Sequence, residues 1–126
     1  IFLSIFNVHL QRAPCAGTVE TVEYHHGSFH AAMKAEARAN ERCVMRLMPD
    51  SRGEPVIVEQ IAGLIARRIE CWAGPGDTVA AGERYGLIHY GSQVAVTLPR
   101  SSTCLVSPGD KVRAGITPIA EWTGKA

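Results

Sequence analysis

Residues 82–99, GERYGLIHYGSQVAVTLP, contain two strand-like stretches that meet at an unusual dipeptide. RYGLIHYG (84–91) and QVAVTLP (93–99) both have the length and composition of β-strands. Gly91 and Ser92 stand between them, where a glycine costs backbone entropy and contributes no packing. The dipeptide therefore indicates either a bulge with a solvated hydroxyl or a place where something must approach the backbone closely.

The rest of the chain is dominated by short strand patterns and turn signals. Further strand-like segments occupy residues 1–10, 17–24, 43–48 and 55–61. We therefore predict a mostly β fold, a single sandwich or barrel-like domain over residues 1–126, with one or two short helices. HAAMKAEARANER (30–42) could form a short exposed helix or an ordered loop, and periodicity leaves EQIAGLIARRIE (59–70) undecided.

An internal repeat predicts the turns of this fold. GPGDTVAAGERYGLI (74–88) and SPGDKVRAGITPIA (107–120) share the frame P-G-D-x-V-x-A-G, in which Gly-Asp makes a tight turn and Val returns to the core. The frame resembles the hammerhead turns of biotinyl and lipoyl carrier domains, so a non-enzymatic carrier or binding domain is an alternative function. Against this alternative, no lysine has the hairpin-tip setting that carriers modify; the lysines are Lys34, Lys111 and Lys125.

Composition excludes several classes of function. The chain has 126 residues with 13 basic and 12 acidic side chains, and it lacks a basic stripe, so we predict no nucleic-acid partner. No apolar run is long enough to span a membrane. The cysteines form no C-x-x-C pair, which argues against a zinc or redox motif and predicts buried thiols in a reducing compartment; they are Cys15, Cys43, Cys71 and Cys104. Because the sequence starts inside an apolar run, we expect it to be the later part of a longer chain.

Several histidines are candidates for metal binding or catalysis. His25, His26 and His30 form the cluster HHGSFH, but adjacent residues on an extended chain point to opposite faces and no carboxylate or cysteine completes a site. We therefore predict no metal. His9, in FNVHLQRAP, could be a core histidine or a proton donor, and the residue alone does not decide between them.

GERYGLIHYGSQVAVTLP resembles the processing segment of phosphatidylserine decarboxylases of the shorter bacterial and archaeal type. The resemblance continues in order along the chain and corresponds to the C-terminal two-thirds of the proenzyme. It includes FLSIFNVHLQRAPCAGTVETVEYHHGSF (2–29) around the active-site histidine, NER (40–42), QIAGLIARRIECW (60–72) and the tail GDKVRAGIT (109–117).

The resemblance implies that Ser92 makes its own cofactor. Attack of its Oγ on the Gly91 carbonyl and β-elimination would divide the chain into a β chain ending at 91 and an α chain of 92–126, and would leave a pyruvoyl group in place of the serine. That group would serve decarboxylation of phosphatidylserine, or of archaetidylserine, to the ethanolamine phospholipid. The family pattern assigns the proton donor to His9 and places the aspartate for self-cleavage in an upstream segment.

The resemblance also implies a phospholipid substrate and peripheral attachment to the cytoplasmic face of the cell membrane. An apolar rim could come from IFLSIF (1–6), or from Trp72 and Trp122, although burial in the core is the explanation that such side chains more often have. Arg67 and Arg68 could pair with the lipid phosphate or simply be solvated. Whether the protein forms a homo-oligomer stays open.

Overall fold

A computed structural model describes residues 1–3, 10–27, 40–50, 53–63, 69–88 and 92–123. Within these ranges the regular elements are β-strands and no helix occurs, which confirms the predicted mostly β fold. The strands are β1 (Phe2–Leu3), β2 (Leu10–Arg12), β3 (Gly17–His25), β4 (Arg42–Pro49), β5 (Val56–Ile61), β6 (Ile69–Cys71), β7 (Thr78–Val79), β8 (Arg84–Ile88), β9 (Ser92–Thr97), β10 (Ser102–Cys104) and β11 (Ala120–Trp122).

The strands form two main antiparallel sheets and a small hairpin-like pair. The large sheet has six strands in the order β1-β9-β5-β4-β3-β7, and the small sheet has three in the order β2-β8-β6. The remaining pair is β10-β11. Met45 and Val58 of the large sheet belong to the same buried cluster as Tyr85 and Ile88 of the small sheet. The two sheets therefore enclose one hydrophobic core, as in a sandwich.

Alternation along β4 and β5 explains why these segments are central strands. In β4, Cys43, Met45 and Leu47 are buried and alternate with more exposed neighbours. The register pairs Cys43 with Gln60 and Met45 with Val58, so the buried residues of both strands point to the same face. A single register therefore buries the apolar side chains of both strands.

The repeated turns have the same geometry in both copies, as the sequence predicted. The Asp77 carboxylate accepts a hydrogen bond of 2.8 Å from the Gly74 N–H, and the Asp110 carboxylate accepts one of 2.9 Å from the Ser107 N–H. The glycines of both frames have the left-handed backbone that disfavours other residues, with φ of 91° at Gly76, 80° at Gly82, 93° at Gly109 and 74° at Gly115.

The structure describes only parts of the two helix candidates, and it divides the first predicted strand. Both ends of the 59–70 candidate are strands, because Glu59–Ile61 pair with β4 and β9 and Ile69 pairs with Ile88. Most of the 30–42 candidate lies outside the described residues, and Arg42 already begins β4. The apolar segment 1–10 is divided, since β1 belongs to the large sheet and β2 to the small one. In the described part of the chain no helix could cross a membrane.

Candidate functional site

Ser92 is the first residue of β9, where the chain enters the large sheet. Its backbone pairs with Leu3 of β1, and the pairing of β9 with β5 begins one residue later, at Gln93 and Ile61. The preceding strand β8 ends at Ile88 in the small sheet. The chain therefore crosses from one sheet to the other in the few residues before Ser92. The Ser92 backbone lies just outside the ladder with β5.

A second crossing runs between the same two sheets. Leu3 ends β1 in the large sheet, and Leu10 begins β2 in the small one, where it pairs with Leu87. The Leu3–Ser92 pair therefore joins the two crossings where they meet the large sheet. The Leu10–Leu87 pair joins them where they meet the small sheet. His9 and Gly91, predicted from the sequence as site residues, fall within these crossings and lie outside the described residues.

The chain that follows Ser92 is held by strands on both of its sides. β9 pairs with β5 from Gln93–Ile61 to Thr97–Ile57 and also with β1. The Val94 side chain is part of the hydrophobic core. The Val94 backbone also exchanges hydrogen bonds with Ile1, of 2.6 and 2.8 Å. Strand β9 is therefore an interior strand of the large sheet, fixed on both sides.

Asn40 secures the same end of the large sheet. Its fully buried side chain donates a 2.7 Å hydrogen bond from Nδ2 to the Ala62 carbonyl, and the Ala62 N–H donates to the Glu41 carbonyl at 3.0 Å. Because Gln93 pairs with Ile61, Ala62 lies at the sheet end where Ser92 begins β9. The sequence analysis used NER (40–42) only as part of the family resemblance. The signal for Asn40 that it missed is an amide residue shortly before a strand in which buried and more exposed residues alternate.

Tyr24, His26 and Glu41 form a polar cluster at this end of the sheet. The Tyr24 hydroxyl donates to the Glu41 carboxylate, and His26 Nδ1 lies 3.2 Å from the other Glu41 oxygen. The Tyr24 and His26 rings meet edge to face at 5.1 Å. Partial burial, followed by the hydrogen bond to Glu41, raises the pKa of Tyr24 to about 12. The hydrogen bond from Tyr24, assisted by His26, lowers the pKa of Glu41.

An open, largely apolar cleft runs along β9 beside this sheet end. It has a volume of about 290 Å³, and its lining includes Ile1, Gln93, Val96, Leu98 and Ile119. Gln93 Oε1 is buried and has no hydrogen-bond partner among the residues described. The cleft therefore offers a mostly apolar lining, and Gln93, one of its lining residues, is next to Ser92 in sequence.

The two tryptophans have different surroundings in the fold. The Trp72 side chain is 53% exposed, and its backbone N–H donates to the Tyr85 carbonyl. This bond lies at one end of the β6-β8 pair, and Ile88 lies at the other end. Trp122 is half-buried against the core, as the structural alternative predicted. Arg67 and Arg68 lie outside the described residues. Of the predicted apolar rim, Ile1 lines the cleft and is 44% exposed.

The histidines at the end of β3 have separate partners, as expected for adjacent residues on an extended chain. His25 Nε2 lies 3.3 Å from Glu23, whereas His26 contacts Glu41. Across the described ranges, no group of three His, Cys, Asp or Glu side chains could hold a metal ion. His30 lies outside these ranges.

The prediction of buried thiols is correct only in part. Cys43 is buried, Cys15 and Cys71 are half-buried, and Cys104 is exposed. Cys104 is exposed because it ends β10, a strand of the outer two-stranded pair, and is not packed in the shared core.

Comparison with known proteins gives one consistent result. The sequence model of the family described as phosphatidylserine decarboxylase matches residues 1–120. The phosphatidylserine decarboxylase proenzyme of Desulfotalea psychrophila is 47% identical over 122 residues, which cover 96% of this chain and 56% of that protein. The proenzyme of Nitratidesulfovibrio vulgaris is 50% identical over 100 residues, covering 79% and 46%.

The chain thus spans about half the length of these relatives. No solved structure matches it. The family match extends across both sheet crossings and the strand that begins at Ser92. On the evidence of this match, the chain belongs to the phosphatidylserine decarboxylase family.

Proposed function

We propose that the protein containing this chain is a pyruvoyl-dependent decarboxylase that converts phosphatidylserine, or archaetidylserine, to the corresponding ethanolamine phospholipid. The observation that carries the proposal is the place of Ser92, at a sheet crossing inside the family match and at the start of an anchored strand. The hammerhead-type turns belong to the architecture of this family member. They therefore do not require a carrier function.

Self-cleavage begins with attack of Ser92 Oγ on the Gly91 carbonyl carbon. The peptide nitrogen leaves that carbon as the ester forms, and β-elimination then releases the Gly91 carboxylate and leaves dehydroalanine at position 92. Hydrolysis with loss of ammonia converts it to a pyruvoyl group. The position of Ser92 fits this chemistry, because its backbone lies beyond the β9-β5 ladder and strand pairing does not tie both of its sides.

After cleavage, the pairing of β9 keeps the new chain end in position. Residues 92–126 would start inside the large sheet, between β1 and β5, both of which belong to the other chain. The pyruvoyl ketone would supply an electron-withdrawing carbonyl at this fixed point for loss of the substrate carboxyl group. His9, in the neighbouring sheet crossing, would donate the proton to the carbon that loses carbon dioxide, since imidazole exchanges protons near neutral pH.

The apolar cleft along β9 supports a phospholipid as the substrate. Ile1, Val96 and Leu98 would contact the acyl chains. A substrate of this kind reaches the enzyme from a bilayer. We therefore include peripheral attachment to the cytoplasmic face of the membrane in the proposal.

Intact mass of the purified full-length protein tests the cofactor. We expect a small chain that begins at residue 92, lacks a free amino terminus and gains hydrogen on borohydride treatment. Ser92→Ala should remain one chain, whereas the matched control Ser107→Ala, an exposed serine of the same segment, should cleave normally. A free serine amine on the small chain would show ordinary proteolysis, and an added biotinyl or lipoyl mass would support a carrier.

Turnover of the cleaved protein tests the histidine. His9→Ala, in protein that has already cleaved, should lose activity on the order of a hundredfold, measured as carbon dioxide released from phosphatidylserine. The control His25→Ala, whose side chain contacts only Glu23 among the described carboxylates, should retain activity. Full turnover by His9→Ala would return His9 to a structural role.

A further inference from the structure

Cys43 and Cys71 face each other across the gap between the two sheets. Cys43 is one of the inward residues of β4 and pairs with Gln60 on β5. The buried Gln60 side chain reaches across this gap and donates a 3.1 Å hydrogen bond to the Glu70 carbonyl of β6. Cys71 is the next residue of β6. The strand register and this hydrogen bond together place Cys43 of β4 close to Cys71 of β6.

The two thiols lie close enough for each to be the group that most affects the pKa of the other. The Cys71 thiol also donates a hydrogen bond of 3.5 Å to the Ala73 carbonyl oxygen. Cys43 is only 4% exposed, whereas Cys71 is half-buried and next to the exposed Trp72. Cys71 is therefore the more accessible residue of the two, and Cys43 is the more sheltered.

The surroundings of the pair favour ionisation of the more open sulfur. The hydrogen bond from Cys43 lowers the pKa of Cys71 against the opposing effect of burial, and the same bond, with burial, raises the pKa of Cys43. The Tyr85 hydroxyl interacts with both sulfurs and has no hydrogen-bond partner in the described part of the chain. Because a thiolate reacts with peroxides and a thiol does not, Cys71 would react first.

We propose that Cys43 and Cys71 are an oxidisable pair that closes into a disulfide joining the large and small sheets when the protein meets a peroxide. The Cys71 thiolate attacks one peroxide oxygen, becomes a sulfenic acid and releases an alcohol, or water from hydrogen peroxide. The Cys43 sulfur then attacks the Cys71 sulfur and expels the hydroxyl as water. Two thiols lose two electrons and two protons, and the O–O bond is reduced.

This modification site is independent of the decarboxylase proposal, and its test needs no enzymatic activity. The full-length protein, treated with hydrogen peroxide and then alkylated, should yield a linked Cys43–Cys71 peptide pair lighter than the two free peptides by two hydrogens. The double variant Cys15→Ser, Cys104→Ser should give the same pair, because it keeps both reacting sulfurs. Cys71→Ser should leave Cys43 available to alkylation after denaturation.

Thermal unfolding checks that the bond joins the folded sheets. The oxidised protein should have a Tm higher by on the order of 5 °C, and dithiothreitol should reverse the shift, because the cross-link restricts the unfolded chain. Recovery of Cys43 and Cys71 as separately alkylated peptides after peroxide treatment would overturn the proposal. So would a Cys43–Cys71 bond that forms only in denatured protein.

Discussion

Gly86 is the position where a single added methyl group should do the most damage to the small sheet. It lies in β8, opposite Cys71 of β6. A Cβ at this residue would overlap the Glu70 carbonyl oxygen and would lie 2.6 Å from Gln60 Nε2 and 3.3 Å from Gln60 Cδ. Its backbone is not in the left-handed region, so the conflict is purely one of space.

The magnitude follows from what must move in Gly86→Ala. The Glu70 oxygen is backbone and can shift only with β6, so overpacking should cost about 1–3 kcal/mol. The Gln60 amide must leave its position against Glu70, and losing this buried hydrogen bond adds about 1 kcal/mol. We therefore expect a loss of about 3 kcal/mol in the free energy of unfolding and a Tm lower by on the order of 10 °C.

Urea and thermal unfolding of the full-length protein would measure this loss. Gly53→Ala is the matched control, because nothing lies within 4 Å of its added Cβ and its backbone is likewise not left-handed. This variant should be as stable as the parent or slightly more stable. Equal stability of Gly86→Ala and Gly53→Ala would refute the close packing of β8 against β6 and Gln60.

Two further predictions concern the sheet end near Ser92. The tyrosine hydroxyl loses its proton near pH 10 in the unfolded chain and near pH 12 at Tyr24 of the folded protein, so the free energy of unfolding should fall as the pH rises between these values. Tyr24→Phe should remove this contribution to the pH dependence of stability. Urea titrations that show the same pH dependence for parent and variant would contradict it. Asn40→Ala should lower the free energy of unfolding by about 1–3 kcal/mol, because it leaves the Ala62 carbonyl without its 2.7 Å hydrogen bond. Thermal unfolding that shows no loss would contradict a role for Asn40 in holding the end of β5.

Local patterns in the sequence predicted much of the fold. The length and composition of 43–48 and 55–61 predicted strands, and in the structure both strands bury about every second residue. The glycines of the repeat predicted turns because only they adopt positive φ easily. The undecided segment 59–70 contains apolar residues compatible with a helix. Its ends become strands because partners distant in sequence, Val94 and Ile88, pair with Gln60 and Ile69.

The candidate site depended on pairings that no local pattern contains. Ser92 was evident as a chemical oddity, but its pairing with Leu3 joins residues from opposite ends of the chain. The contact between Cys43 and Cys71 likewise arises only when the two sheets stack. Trp72 was a candidate for an apolar rim because the resemblance implied a lipid substrate. The structure places it near the start of β8, away from Ser92, because its backbone N–H bonds to the Tyr85 carbonyl.

Because β9 is an interior strand, a cut before Ser92 would change folding from a process within one chain to an association of two chains. Strand β9 lies between β1 and β5, and its hydrogen bonds to both would outlast a cut before Ser92. An uncut chain can insert this strand as one molecule, at a rate independent of protein concentration. Two separated chains would have to find each other first, and the large sheet would lack an inner strand until they did. Cleavage would thus turn a reversible folding reaction into a heterodimer association, so the intact precursor would have to fold before it is cut.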